Sequence, residues 1–102
     1  MDVTNVSHSA GRANMATGTF TADGTVATVK LGFQPRYIRV INVTDAITHE
    51  KTADMDAGDA LQTIANGTRT VENSLITIEE DGFDLAAAVA IDEKVINFIA
   101  MT

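Results

Sequence analysis

The chain has 102 residues, no cysteine, no tryptophan and a formal net charge of −7. That length suits one domain, since two halves would each lack the apolar surface to fold alone. The missing thiols exclude disulfides, thiolate metal centres and cysteine nucleophiles, and the acidic balance disfavours nucleic acid, whose phosphates need a basic field.

Residues 1–16 are small and polar without period, a composition that cannot bury itself, and are expected to form a flexible N-terminal arm ahead of one β domain over 17–102. Neither a basic stretch nor an apolar run follows Met1, so no secretory leader is expected. No apolar run approaches the roughly 20 residues of a membrane span, and the expectation is a soluble chain made in the cytoplasm, with no membrane partner. From Thr17 the β signals are dense. Thr17 to Thr21, the Asp23-Gly24 turn and Thr25 to Leu31 read as a hairpin. Gly32 allows a reversal, Pro35 fixes φ at a strand entrance, and Arg36 to Thr44 forms the next strand. Its Ile38, Val40 and Asn42 share one face, and Tyr37, Arg39, Ile41 and Val43 the other, so both faces are partly apolar and the strand is expected to be central or covered by a partner.

Ile47 to Thr52 reads as a strand of mixed character, and Gly58 inside 53–65 argues for a loop or a single turn. Asn66-Gly67 turns the chain into Thr68 to Glu72, and Leu75 to Glu80 follows after Asn73-Ser74. Asp81-Gly82 is a second hairpin signal, after which Phe83 and Leu85 open a strand expected to run through Ala86-Ala87-Ala88. The last strand, Lys94 to Ala100, again carries apolar residues on both faces, so one of them is expected to be central or to meet another copy. The expectation is an all-β fold of about eight short strands, an antiparallel β-sandwich, a jelly-roll-like arrangement or a partly closed barrel.

A search for chemistry returns little. His49-Glu50 begins like a zinc protease motif, but Ala53 stands where the second histidine belongs. His49 is expected at the surface. Asp54, Asp56 and Asp59 have oxygen-rich spacing, yet an EF-hand would need a carboxylate at Ala65; a solvated loop or a looser cation site built from loop carbonyls remains. No nucleophile elbow and no phosphate-cradling glycine loop occurs, so neither an enzyme nor a cofactor is expected. Charge is unevenly spread. Residues 1–53 hold five basic against four acidic side chains, and residues 54–102 two against ten. Arg36, Tyr37 and Arg39 could thus form a basic, aromatic spot that docks on the acidic half of a neighbouring copy, and head-to-tail contacts of that kind close into rings.

One ordered set of motifs carries further information: a Thr/Gly strand pair over Thr17 to Leu31, then Gly-Phe-x-Pro-Arg-Tyr-Ile-Arg-Val-Ile-Asn at 32–42, Met55, Gly67 to Thr70, Asp81-Gly82-Phe83, and the apolar strand Val95 to Ala100. This order resembles a family of small virion structural proteins of tailed bacteriophages. The resemblance implies a head decoration or cement protein on the capsid surface of the virion, trimeric, with the major capsid protein as its partner. Arg36, Tyr37, Arg39, Val95 and Phe98 are the residues expected at a subunit or capsid interface. The alternative is a tail or head fibre module recognising a host-surface glycan or protein, against which the scarcity of aromatics counts (5%, no Trp).

Overall fold

The computed structural model describes residues 1–8 and 14–102, without the side chain of His8. Among them there is no helix, and the strands are β1 (Asp2–Val3), β2 (Val6–His8), β3 (Met15–Thr21), β4 (Ala27–Lys30), β5 (Tyr37–Asn42), β6 (Ile47–Thr52), β7 (Gly58–Thr63), β8 (Arg69–Glu79), β9 (Gly82–Leu85) and β10 (Val95–Met101). All belong to one sheet, in the order β1-β4-β9-β8-β7-β6-β5-β10-β3-β2. The fold is therefore all-β and barrel-like.

The seam of that barrel is made by the segment expected to be an arm. β1 pairs parallel with β4 (Asp2↔Thr28) while β2 pairs antiparallel with β3 (Val6↔Gly18). Only Thr4 and Asn5 separate β1 from β2, yet the two strands sit at opposite ends of the sheet order. A connection that short brings the two ends of the sheet together, so residues 1–8 act as one strand lying between β3 and β4. Val3 is buried there, and Thr28 donates its N–H to the Met1 carbonyl at 2.7 Å. Residues 9–13 of the expected arm lie outside the described residues.

This placement corrects the first hairpin. The Asp23-Gly24 turn does reverse the chain, with Thr25 N–H and hydroxyl both donating to Asp23 Oδ1 at 3.1 and 2.6 Å. The strands it joins do not pair with each other, because the N-terminal strand stands between them. Gly18 is what lets that strand cross: a Cβ there would overlap the Asn5 carbonyl oxygen and come within 2.5 Å of the Phe98 ring.

The second hairpin forms as read, with β8 and β9 joined at Glu79↔Gly82. The strand expected through Ala86-Ala87-Ala88 instead ends at Leu85, and Ala86 opens a turn in which Val89 and Ala90 both donate to its carbonyl at 2.9 Å. Small side chains with good helical propensity favour that tight turn over extended backbone. Gly58 proves to begin a strand, and the two strands expected around Asn73-Ser74 are one long β8 with an irregularity at Ser74, whose φ is +59°. The extra residues there let Leu75 and Ile76, neighbours in sequence, both be buried.

The core fills the barrel with β-branched and aliphatic side chains around two aromatic rings. Ile38, Val40, Val29, Ile76, Leu85 and Ile96 are fully buried, and Phe83 meets Phe98 edge-to-face with centroids 5.5 Å apart. β5 pairs on both edges, with β6 and β10; its Ile38, Val40 and Asn42 face is buried, while on the other face Arg39 is exposed and Tyr37 and Ile41 are half-buried.

Candidate assembly face

The outward faces of β3, β10, β5, β6, β7 and β8 form one continuous surface. Across it runs a cross-strand row of Thr17, Ile99, Arg39, Glu50, Leu61 and Val71. Parallel rows place Met15, Met101 and Tyr37 on one side of Arg39, and Asn97 and Ile41 on the other. Ile41, Ile99, Leu61 and Met101 are half-buried and Val71 is 61% exposed. Charged and polar side chains at the centre of this surface are thus flanked by half-buried apolar ones.

Three of the five expected interface residues lie on or beside this centre. Tyr37 donates its hydroxyl to Glu50 Oε2 at 3.1 Å; burial first, then that bond and the Glu50 charge, push its phenol above the usual range, with Arg39 opposing. Arg39 stands opposite Glu50 in the ladder but makes no ion pair among the described residues. Arg36, exposed at the strand entrance, is held through its backbone: its N–H donates to Met101 O at 2.8 Å and its carbonyl accepts from Ala53 at 2.9 Å. Its guanidinium also has no ion-pair partner among the described residues.

Val95 and Phe98 fare differently. Val95 is 41% exposed at the start of β10, its N–H on Thr44 Oγ1 at 3.0 Å and its carbonyl accepting from Val43, another exposed valine. Phe98 is 4% exposed and points inward to Phe83. The alternation along β10 puts Ile96, Phe98 and Ala100 inside and Val95, Asn97, Ile99 and Met101 outside. Ile99, one step along, takes the outward place that Phe98 was expected to fill.

On the far side of the sheet the sign of charge reverses. Asp2, Thr28, Asp84 and Thr77 form an outward row over β1, β4, β9 and β8. Glu79, Glu80 and Asp81 lie at its end, where Lys30 pairs with Asp81 at 3.3 Å. One carboxylate oxygen of Asp84 is buried there without a hydrogen-bond partner among the described residues.

The acidic loop 53–59 is organised by a buried lysine. Lys51, 2% exposed, donates from Nζ to the carbonyls of Asp56 at 2.9 Å and Asp59 at 2.8 Å. An ammonium thus stands where a looser cation site on those carbonyls was read from the sequence. Burial pulls its pKa below the usual lysine range, with the Asp59 and Asp56 charges opposing. His49 is likewise inside rather than at the surface, 3% exposed with Nε2 at 3.2 Å from Gln62 Oε1 and Nδ1 without a hydrogen-bond partner among the described residues. Nothing in the polar alternation of Ile47 to Thr52 marks its His49 and Lys51 face as the inner one. Beside Lys51 a cavity of about 300 Å³ is lined by Pro35, Arg36, Met55 and Ile78. Among the described residues no group of three or more His, Cys, Asp or Glu side chains is placed to hold a metal ion, and no helix is long and apolar enough to cross a membrane.

No family model matches the sequence, and neither a curated protein nor a solved structure matches it.

Proposed function

We propose that this chain is a structural protein of a phage virion, a decoration protein that binds the outside of the head shell and stabilises it by bridging capsid subunits. The observation that carries the reading is the pairing of opposites on one small barrel: Arg36 and Arg39, without ion pairs among the described residues, in a half-apolar face, and the exposed acids Asp2, Glu79 and Glu80 beside Asp84 in an acidic one. The ordered motifs from Thr17 to Ala100 supply the virion context.

Copies meet head to tail, the Arg36, Tyr37 and Arg39 face of one on the Asp84 face of the next, and a heterologous contact that closes makes a ring, here a trimer. Arginine suits this role because its planar fork meets carboxylates bidentately. The apolar side chains around it, with Ile99, Ile41 and Val95, add burial to the core the domain already has. Binding many such copies to the assembled shell favours the closed shell by mass action.

The test uses shells assembled from the major capsid protein of the same virion without the decoration. Purified protein is expected to bind them and to raise their disruption temperature, and Arg39→Glu to abolish both effects. Failure of the wild-type protein to bind expanded shells overturns the proposal.

A further inference from the structure

We infer that β8 carries a strand-addition edge, residues Arg69 to Asn73, that takes the same edge of a second copy across a two-fold axis centred on Val71. This rests on the backbone of the β7–β8 hairpin and is independent of the shell-binding reading.

β8 is 11 residues long, but its two neighbours cover different parts of it. β7 pairs with Arg69 to Glu72, whereas β9 reaches only Ile76 to Glu79, and the last rung on that side is the bond from Ala86 N–H to the Leu75 carbonyl at 2.9 Å. Beyond Leu75 the β9 side of the strand is open: among the described residues nothing pairs with it. All six residues from Arg69 to Ser74 are exposed, so neither face is covered either.

Which groups face the open side follows from the phase of the ladder. Ile64 N–H bonds to the Thr68 carbonyl at 3.1 Å, which makes 64:68 a hydrogen-bonded pair. In an antiparallel ladder such pairs alternate, so Thr70 and Glu72 bond to β7, and the N–H and C=O of Arg69, Val71 and Asn73 point to the open edge. The same odd-numbered phase continues at Leu75, whose carbonyl faces β9. An exposed row of backbone donors and acceptors is a template for another strand.

The occupant that fits is a second copy. A two-fold axis normal to a sheet sets a residue opposite itself, and Val71 is the central one of the three outward-bonding residues. Val71 then pairs with Val71 of the other copy and Arg69 with its Asn73, giving about six backbone hydrogen bonds at two per bonded pair. Val71 is the most exposed large apolar side chain described, and it would bury against its own equivalent, extending the apolar row begun by Leu61. On the other face Thr70 stands opposite Glu72. No like charges meet directly, the condition for cross-strand stability, and neither proline nor lysine blunts the edge.

Because the chain has no cysteine, single thiols can read the register. In Val71→Cys the two Cα atoms would lie about 5.5 Å apart as a bonded pair, inside the range a disulfide spans. In Arg69→Cys they would be roughly 14 Å apart, four residues along the strands, beyond its reach. Mild oxidation of the folded full-length variants is expected to give covalent dimer from Val71→Cys and none from Arg69→Cys, by non-reducing electrophoresis. Val71→Pro, which removes a donor that β7 does not use, is expected to halve the wild-type mass in sedimentation with an unchanged far-ultraviolet spectrum. Equal cross-linking of the two cysteine variants, no cross-linking by either, or a wild-type mass that Val71→Pro leaves unchanged would each overturn the inference. So would a wild-type monomer at high concentration, which would leave the edge to solvent or to a different partner.

Discussion

Gly18→Ala is the sharpest test of the seam. A methyl at this position overlaps the Asn5 carbonyl oxygen and approaches the Phe98 ring to 2.5 Å. The two neighbours differ in how they can yield. The ring edge of Phe98 can tilt, at an overpacking cost of about 1–3 kcal/mol. The Asn5 oxygen is backbone, and relieving it means lifting residues 1–8 from between β3 and β4. That exposes Val3, worth about 1.5–3 kcal/mol if fully released, and breaks ladder bonds at about 0.5–1.5 kcal/mol each. Alanine's better fit to strand backbone returns only about 0.5–1 kcal/mol. The expected net loss is about 2–4 kcal/mol, a fall in Tm of roughly 10–25 °C for a domain of this size. Urea denaturation gives the free energy. Amide exchange locates it, because Thr28, which donates to the Met1 carbonyl, should lose protection before core amides such as Val40. A change within 0.5 kcal/mol, with Thr28 still protected, would refute the placement of the N-terminal strand.

Phe98→Ala should cost about 3–5 kcal/mol, as deletion of a buried aromatic does, while Val95→Asp at the exposed end of the same strand should stay within about 0.5 kcal/mol; equal losses in urea would contradict the assignment of inner and outer faces. Lys51→Met leaves the Asp56 and Asp59 carbonyls without their donor, and a loss of about 1–3 kcal/mol is expected, kept small because the buried ammonium itself carries a desolvation cost; a gain in stability would show that water satisfies those carbonyls as well. His49 is held below its ordinary value of 6.5 by burial, so on acidification the unfolded chain takes up the proton first. Stability should therefore be full above about pH 6.5 and decline as the pH falls from there towards the depressed folded value, and His49→Gln should flatten that limb of a denaturation series.

The sequence was most readable where alternation and turn chemistry agree. Phe83 and Leu85, two residues apart, both enter the core, and the Asp81-Gly82 hairpin forms as expected, since each signal is local. The Asp23-Gly24 turn shows the limit of such reading. Its chemistry specifies a reversal but not a partner, and the chain's first eight residues take the place between the strands. His49 and Lys51 are hidden for a related reason: their inward position is set by pairing with Val40 and Ile38 across the sheet, and their partners, Gln62 and the carbonyls of 56 and 59, come from another strand and a loop. Of the interface residues, Arg36, Tyr37, Arg39 and Val95 fall on or at the rim of one outward face, whereas Phe98 was misplaced because the phase of a strand apolar on both sides cannot be fixed without its neighbours.

Closing the seam sets a valence. A sheet with two open ends can recruit copies at both and grow into a fibre, and β-rich chains with long bare edges are prone to that fate. Here residues 1–8 join the two terminal strands of the order to each other, so polymerisation from either is blocked. Five residues of β8 stay open among the described residues. A single such edge is saturated by one partner, and growth through it stops at two copies.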